Sequence, residues 1–155
     1  MQKYEEPLVH QLIQITKKYL SAFGDIVQDI PLERYHYTLL LIDEHQETLT
    51  QKALAELLQV DKSFLVNMID YLAENGFVYR ETNSDDRRQQ VIKLTAKAKT
   101  YIPEISACIK NLNQSALENI PKEHIQIFLN TITTIQNNLK TISSHEIVLD
   151  YKKMK

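Results

Sequence analysis

The sequence predicts a mainly α-helical domain carrying one small β-hairpin, and three observations lead there. Glycine and proline are scarce, two and four in 155 residues, which favours long helices over a succession of tight turns. Apolar residues recur every three or four positions over most of the chain, the period of an amphipathic helix. One stretch breaks that texture. Phe77-Val78-Tyr79 and Val91-Ile92 with Leu94 are β-rich runs on either side of the polar segment Asn83-Ser84-Asp85-Asp86-Arg87-Arg88.

Taken in order, Leu8, Leu12, Ile15, Tyr19 and Phe23 give residues 5–24 one apolar helical face. Pro31 is expected in the first turn of a second helix, which carries Tyr35, Thr38, Leu39 and Ile42 and ends near Glu47. Thr50 is a good N-cap for a helix over 51–58, and Asp61 for one over 62–75. The link Gln59-Val60 between them is short, so the two helices turn sharply on one another. Leu65, Met68, Ile69 and Leu72 share a face of the second, which Gly76 stops as a C′ residue. The hairpin follows, with its charged tip. Thr95 then caps a long helix over 96–118, with a bend or late start expected at Pro103. Pro121 opens a last helix reaching about residue 143.

Composition limits the function. Apolar residues at 43% and charged residues at 25% suit a globular chain and not a disordered one. The longest apolar run, Leu39-Leu40-Leu41-Ile42, is far shorter than the roughly 18 residues that span a bilayer, so no membrane partner is expected. Met1 to Gly24 mixes apolar residues with Lys, Glu and Gln and does not resemble a secretion signal. A single cysteine, Cys108, forms no internal disulfide, and a cytoplasmic location is expected. His10, His36, His45, His124 and His145 lack ligand spacing, so no metal or other cofactor is expected. No nucleophile–base set or glycine-rich phosphate loop is visible, so no catalytic residue is assigned and an enzyme is not expected.

The net charge is only −2, but it is unevenly spread. Residues 1–49 hold 4 basic and 8 acidic side chains, whereas 76–99 hold 6 basic and 3 acidic. The tail adds Lys152, Lys153 and Lys155. Positive charge gathered in one segment and one tail is the footprint of a polyanion contact, although a solvated face leaves the same mark.

Helix, short turn, helix, hairpin is the order of a winged helix-turn-helix. The second helix of such a pair fits the major groove while the hairpin reaches the phosphates beside it. The chain resembles the MarR family of bacterial regulators at Leu49-Thr50-Gln51-Lys52-Ala53-Leu54-Ala55, Asp61-Lys62-Ser63 and Leu72-Ala73-Glu74-Asn75-Gly76-Phe77-Val78. Its most specific motif is Asp86-Arg87-Arg88-Gln89-Gln90-Val91-Ile92-Lys93-Leu94-Thr95, which fits the family wing pattern D-x-R-x-x-x-x-x-L-T. The flanking helices agree in length and order.

The resemblance implies a single domain over 1–155. Residues 32–95 would be the winged helix-turn-helix, flanked by N- and C-terminal dimerisation helices over 1–30 and 96–145. It implies a homodimer straddling a palindromic double-stranded operator, acting as a repressor released by a small lipophilic or phenolic effector. The stripe Ile125, Leu129, Ile132, Ile135, Leu139 and Ile142 independently asks for a partner surface. The alternative is a winged-helix module for protein–protein contact with weak or no DNA binding.

By the same resemblance Arg88 enters the minor groove with Asp86 holding its side chain; the alternative is that the two only staple the hairpin tip. Arg87, Lys93 and Lys97 are phosphate candidates, each equally readable as a solvated face. Lys62 and Ser63 meet a phosphate or a base edge at the helix N-terminus, unless Ser63 serves only the helix end. Asn67 can read adenine, and Phe64 or Val66 can pack on a thymine methyl. Many family members carry Thr and Arg where this chain has Val66 and Asn67, and Arg where it has Tyr71. Residues 61–75 carry a net −2. Binding is then expected to lean on the wing, to favour A/T-rich sites, or to be weak. Tyr19, Tyr35, His36, Tyr37 and Tyr101 are the candidates for an effector pocket, each also readable as core or rim. Cys108 reads as a buried structural thiol.

Overall fold

A computed structural model describes residues 3–45, 48–144 and 147. The expected helix end at Glu47, His145 and the basic tail Lys152, Lys153 and Lys155 lie outside the described residues. The elements run α1 (Val9–Ile26), α2 (His36–Glu44), α3 (Gln51–Leu58), α4 (Lys62–Glu74), β1 (Val78–Thr82), β2 (Gln90–Leu94), α5 (Ala96–Ala116) and α6 (Lys122–Asn138).

Capping chemistry sets the boundaries of the central elements. Thr50 Oγ1 accepts from the Ala53 N–H (3.1 Å), Asp61 Oδ1 from Phe64 (2.7 Å) and Thr95 Oγ1 from Ala98 (3.1 Å). Each satisfies a backbone donor that a helix start leaves open. Helix α4 ends in a Schellman turn: Phe77 N–H donates to the Leu72 carbonyl and Gly76 N–H to Ala73, both at 2.9 Å. That turn puts Gly76 at φ +77°, where a side chain would strain the backbone. Gln59, at φ 52°, makes the sharp turn from α3 to α4.

Strands β1 and β2 pair antiparallel from Val78↔Leu94 to Thr82↔Gln90. The residues before α3 join their edge, with Ile92 N–H donating to the Leu49 carbonyl (3.0 Å) and Thr50 bridging Val91. The hairpin is therefore fastened to the helix pair. Leu39 and Ile42 of α2, Leu54 of α3, Leu65, Ile69 and Leu72 of α4, Phe77, Ile92 of β2 and Ile105 of α5 form one fully buried core.

Several expectations need correction. Helix α2 starts at His36, not near Pro31, because Tyr35 sits at φ 70° and cannot continue a helix. Ile30 and Leu32 are buried on either side of the exposed Pro31. Pro103 does not interrupt α5, which runs unbroken from Ala96 to Ala116. Helix α1 starts at Val9 with Ile15 exposed, and α6 stops at Asn138. Neither α1 nor α6 contains a buried residue, although Ile13, Ile127, Phe128 and Leu129 are large and apolar.

Candidate nucleic-acid interface

Helix α4 is two-faced because of its period. Leu65, Met68, Ile69 and Leu72 are buried, while Lys62, Ser63 and Asn67 are exposed and Val66 and Asp70 lie half-buried beside them. The expected base-contact residues Lys62, Ser63, Val66 and Asn67 thus share one accessible region. Phe64 is turned away from it. Its ring packs edge-on to Tyr35 (6.4 Å between centroids), and Tyr35 packs in turn on Tyr71 (5.6 Å). The Arg34 guanidinium lies over Tyr71 and Tyr35 at 4.9 and 5.3 Å, and the Tyr71 hydroxyl accepts from Glu33 N–H (3.2 Å). Phe64 and Tyr71 fasten residues 33–35 to α4, the left-handed Tyr35 included.

The hairpin tip is built from short polar side chains that bond the local backbone. Asn83 accepts from Asp85 N–H (3.0 Å), and Asn83 N–H donates to the Gln89 carbonyl (2.9 Å). Asp86 Oδ1 accepts from both the backbone N–H and the guanidinium Nε of Arg88, at 3.0 and 3.3 Å. The Arg88 side chain is nonetheless 91% exposed. Arg87 is exposed beside it. The other two phosphate candidates already have partners. Lys93 pairs with Glu81 across the strands (3.7 Å), and Lys97 donates to the Asn75 carbonyl at the end of α4 (2.9 Å) over the Phe77 ring.

Sequence reasoning missed a clamp at the hairpin base. Arg80 of β1 donates through Nη2 to Asp70 Oδ1 of α4 (2.7 Å) and through Nε to Gln51 Oε1 of α3 (3.0 Å). Strand parity could have found it, since Arg80 shares the face of buried Val78, where a charged side chain requires a partner.

Of the five effector candidates, the structure brings Tyr19 and Tyr37 together. With Leu20, Phe23, Ile109 and Asn113 they line a depression of about 410 Å³, in which the Tyr19 hydroxyl donates to Asn113 Oδ1 (2.6 Å). Burial pushes the Tyr19 hydroxyl pKa up. His36 lies next to this depression, edge-on to Phe23 at 5.4 Å and only 4% exposed. Burial lowers its pKa against the opposing effect of a hydrogen bond to the Leu32 backbone, and its Nε2 has no hydrogen-bond partner among the described residues. Tyr35 and Tyr101 are elsewhere. The first belongs to the cluster with Phe64 and Tyr71, and the second packs on Phe77 (5.9 Å). Cys108 is half-buried, its pKa raised by burial and by nearby Glu104. Among the described residues no helix is long and apolar enough to cross a membrane, and no cluster of His, Cys, Asp and Glu could hold a metal.

Two capped helices joined by a tight turn, followed by a hairpin with an outstretched arginine, match a known family model over residues 32–90. That model describes the MarR family. Solved structures extend the likeness to the flanking helices. A MarR family transcriptional regulator from Listeria monocytogenes in complex with a 26mer DNA is 18% identical, with a TM-score of 0.78 over 87% of this chain and 90% of that one. The MepR–DNA complex of S. aureus is 18% identical, with a TM-score of 0.80 over 87% and 99%. The transcriptional regulator SlyA is 23% identical, with a TM-score of 0.77 over 86% and 94%. At these identities the likeness establishes the fold: a MarR-type winged helix between long terminal helices.

Proposed function

We propose that the protein is a DNA-binding transcriptional regulator, a cytoplasmic homodimer that represses from a palindromic operator and is released by a small lipophilic or phenolic effector. The observation that carries the reading is Arg88, extended into solvent at the tip of a braced wing while Asp86 fixes its origin. A cation held outward at that place suits a narrow minor groove, where negative potential is concentrated. Lys62, Ser63, Val66 and Asn67 would face the neighbouring major groove, and Arg87 a phosphate. Two of the similar structures are DNA complexes, which favours the same reading.

Within the domain spanning 1–155, residues 32–95 would carry the DNA contacts, and the helices of 1–30 and 96–145 would pair two chains. Exposed Ile13, Phe128 and Leu129 support that pairing. The depression beside Tyr19 and Tyr37 supports an effector site at the joint between α1, α2 and α5. The reading involves no catalytic step.

The test is fluorescence anisotropy of the purified protein on the DNA upstream of its own coding sequence, across a salt series. Tight binding of one dimer per site is expected, with log affinity falling linearly in log salt by about 0.9 per neutralised phosphate. Weak binding with no salt dependence would overturn the reading in favour of a protein-contact module.

A further inference from the structure

Helix α4 poses an electrostatic problem: it would lie against a polyanion, yet residues 61–75 carry a net −2. Part of that charge is already engaged. Asp61 spends its carboxylate on the helix N-terminus, where a negative group is favourable. Asp70 is different. It lies three residues after Asn67 and seven after Ser63, on the accessible side of the helix, and it is 47% exposed. A bare carboxylate there would meet DNA phosphates as a like charge.

We infer that Arg80 is the charge mask of the recognition helix, a positioning residue that occupies Asp70 so that α4 can enter the groove; this rests on the DNA-binding reading above. Its guanidinium spans three elements, from β1 to Asp70 Oδ1 at 2.7 Å and Gln51 Oε1 at 3.0 Å, and its side chain is 28% exposed. The planar fork serves two acceptors at once, which a lysine could not do with the same geometry. With Asp70 occupied, Ser63, Val66 and Asn67 form an uncharged stretch between Lys62 at one end of the helix and Glu74 at the other, both exposed. The mask also sets specificity. A freed Asp70 carboxylate would accept from the N4 amino group of cytosine, so removing Arg80 would admit C·G where the wild type does not select it.

The test compares wild type, R80Q, D70N and D70N/R80Q in anisotropy titrations on the wild-type site, with selection from randomised duplexes and a thermal melt for each. R80Q is expected to lose about tenfold in affinity or more and to gain C·G at one position per half-site. D70N/R80Q, which has no charge to mask, is expected to return to within about threefold of wild type and to lose the new preference. A double variant as weak as R80Q would overturn the mask in favour of a direct phosphate contact by Arg80. Wild-type affinity and selection in R80Q would overturn it outright. If R80Q does not fold, the double variant still decides: affinity within about threefold of wild type supports the mask, and a loss of about tenfold or more overturns it in favour of a direct phosphate contact by Arg80. Absence of salt-dependent binding by the wild type would remove the DNA reading and the mask with it, whereas wild-type binding with an unaffected R80Q removes the mask alone.

Discussion

The Asp86 carboxylate holds Arg88 at two points, the backbone N–H at 3.0 Å and the guanidinium Nε at 3.3 Å, and leaves the end of that side chain in solvent. An exposed ion pair contributes little to stability, so this one is better explained by what it points at. Arg88→Ala is expected to weaken operator binding by about tenfold or more with melting temperature unchanged. Asp86→Ala should weaken it less, because the cation remains but loses its orientation. Wild-type affinity for Arg88→Ala in the same titration would count against the wing contact.

The second expectation concerns the terminal helices. Phe128 and Leu129 are 47% and 52% exposed in one chain, and α6 has no buried residue at all. That much apolar surface on one helix favours a covering surface, which the proposed dimer supplies from a second copy. Leu129→Glu is expected to turn a dimer into a monomer in sedimentation equilibrium and to abolish tight operator binding, since two half-sites one helical turn apart need two wings. A wild-type chain that sediments as a monomer would refute the pairing.

Local chemistry explains what could be foreseen. The caps Thr50, Asp61 and Thr95 act within three residues, and the β-rich runs around 77–94 differ in texture from everything beside them. Those features were legible, as was the Asp86–Arg88 pair, whose partners lie two residues apart. The start of α2 was not, because Tyr35 adopts a left-handed conformation in an aromatic cluster with residues 29 and 36 positions further on. The contact of Phe64 with Tyr35 was hidden for the same reason, since the two rings lie 29 positions apart in the chain. The Arg80 clamp joins residues 51, 70 and 80, and only strand parity hinted at it.

His36 provides a pH test. Its pKa is lowered from the ordinary value of 6.5 because burial disfavours the charged ring. The unfolded chain therefore binds the proton more readily than the folded one. Stability from this group is complete above about pH 6.5 and falls as pH drops below it, by at most about 1.4 kcal/mol per pH unit. The melting temperature should be lower at pH 5.5 than at 7.5, and His36→Phe should remove part of that difference. An equal pH dependence in wild type and variant would show that other groups cause it.

Thr95 joins three elements through one hydroxyl. Its Oγ1 donates to the Gly76 carbonyl at 2.6 Å, accepts from Ala98 N–H at 3.1 Å, and sits beside a backbone bond from Thr95 N–H to the Phe77 carbonyl at 3.0 Å. The end of α4, the base of the wing and the start of α5 therefore share one residue. Thr95→Ala removes a cap and leaves the Gly76 carbonyl without that donor, a loss of about 1–2 kcal/mol. In a domain of this size each kcal/mol corresponds to about 2–4 °C of melting temperature. Thr95→Ser keeps the hydroxyl and should retain most of the stability. Amide exchange at residues 96–98 should speed up in Thr95→Ala and not in Thr95→Ser. Equal exchange in the two would place the stabilisation in the threonine methyl instead.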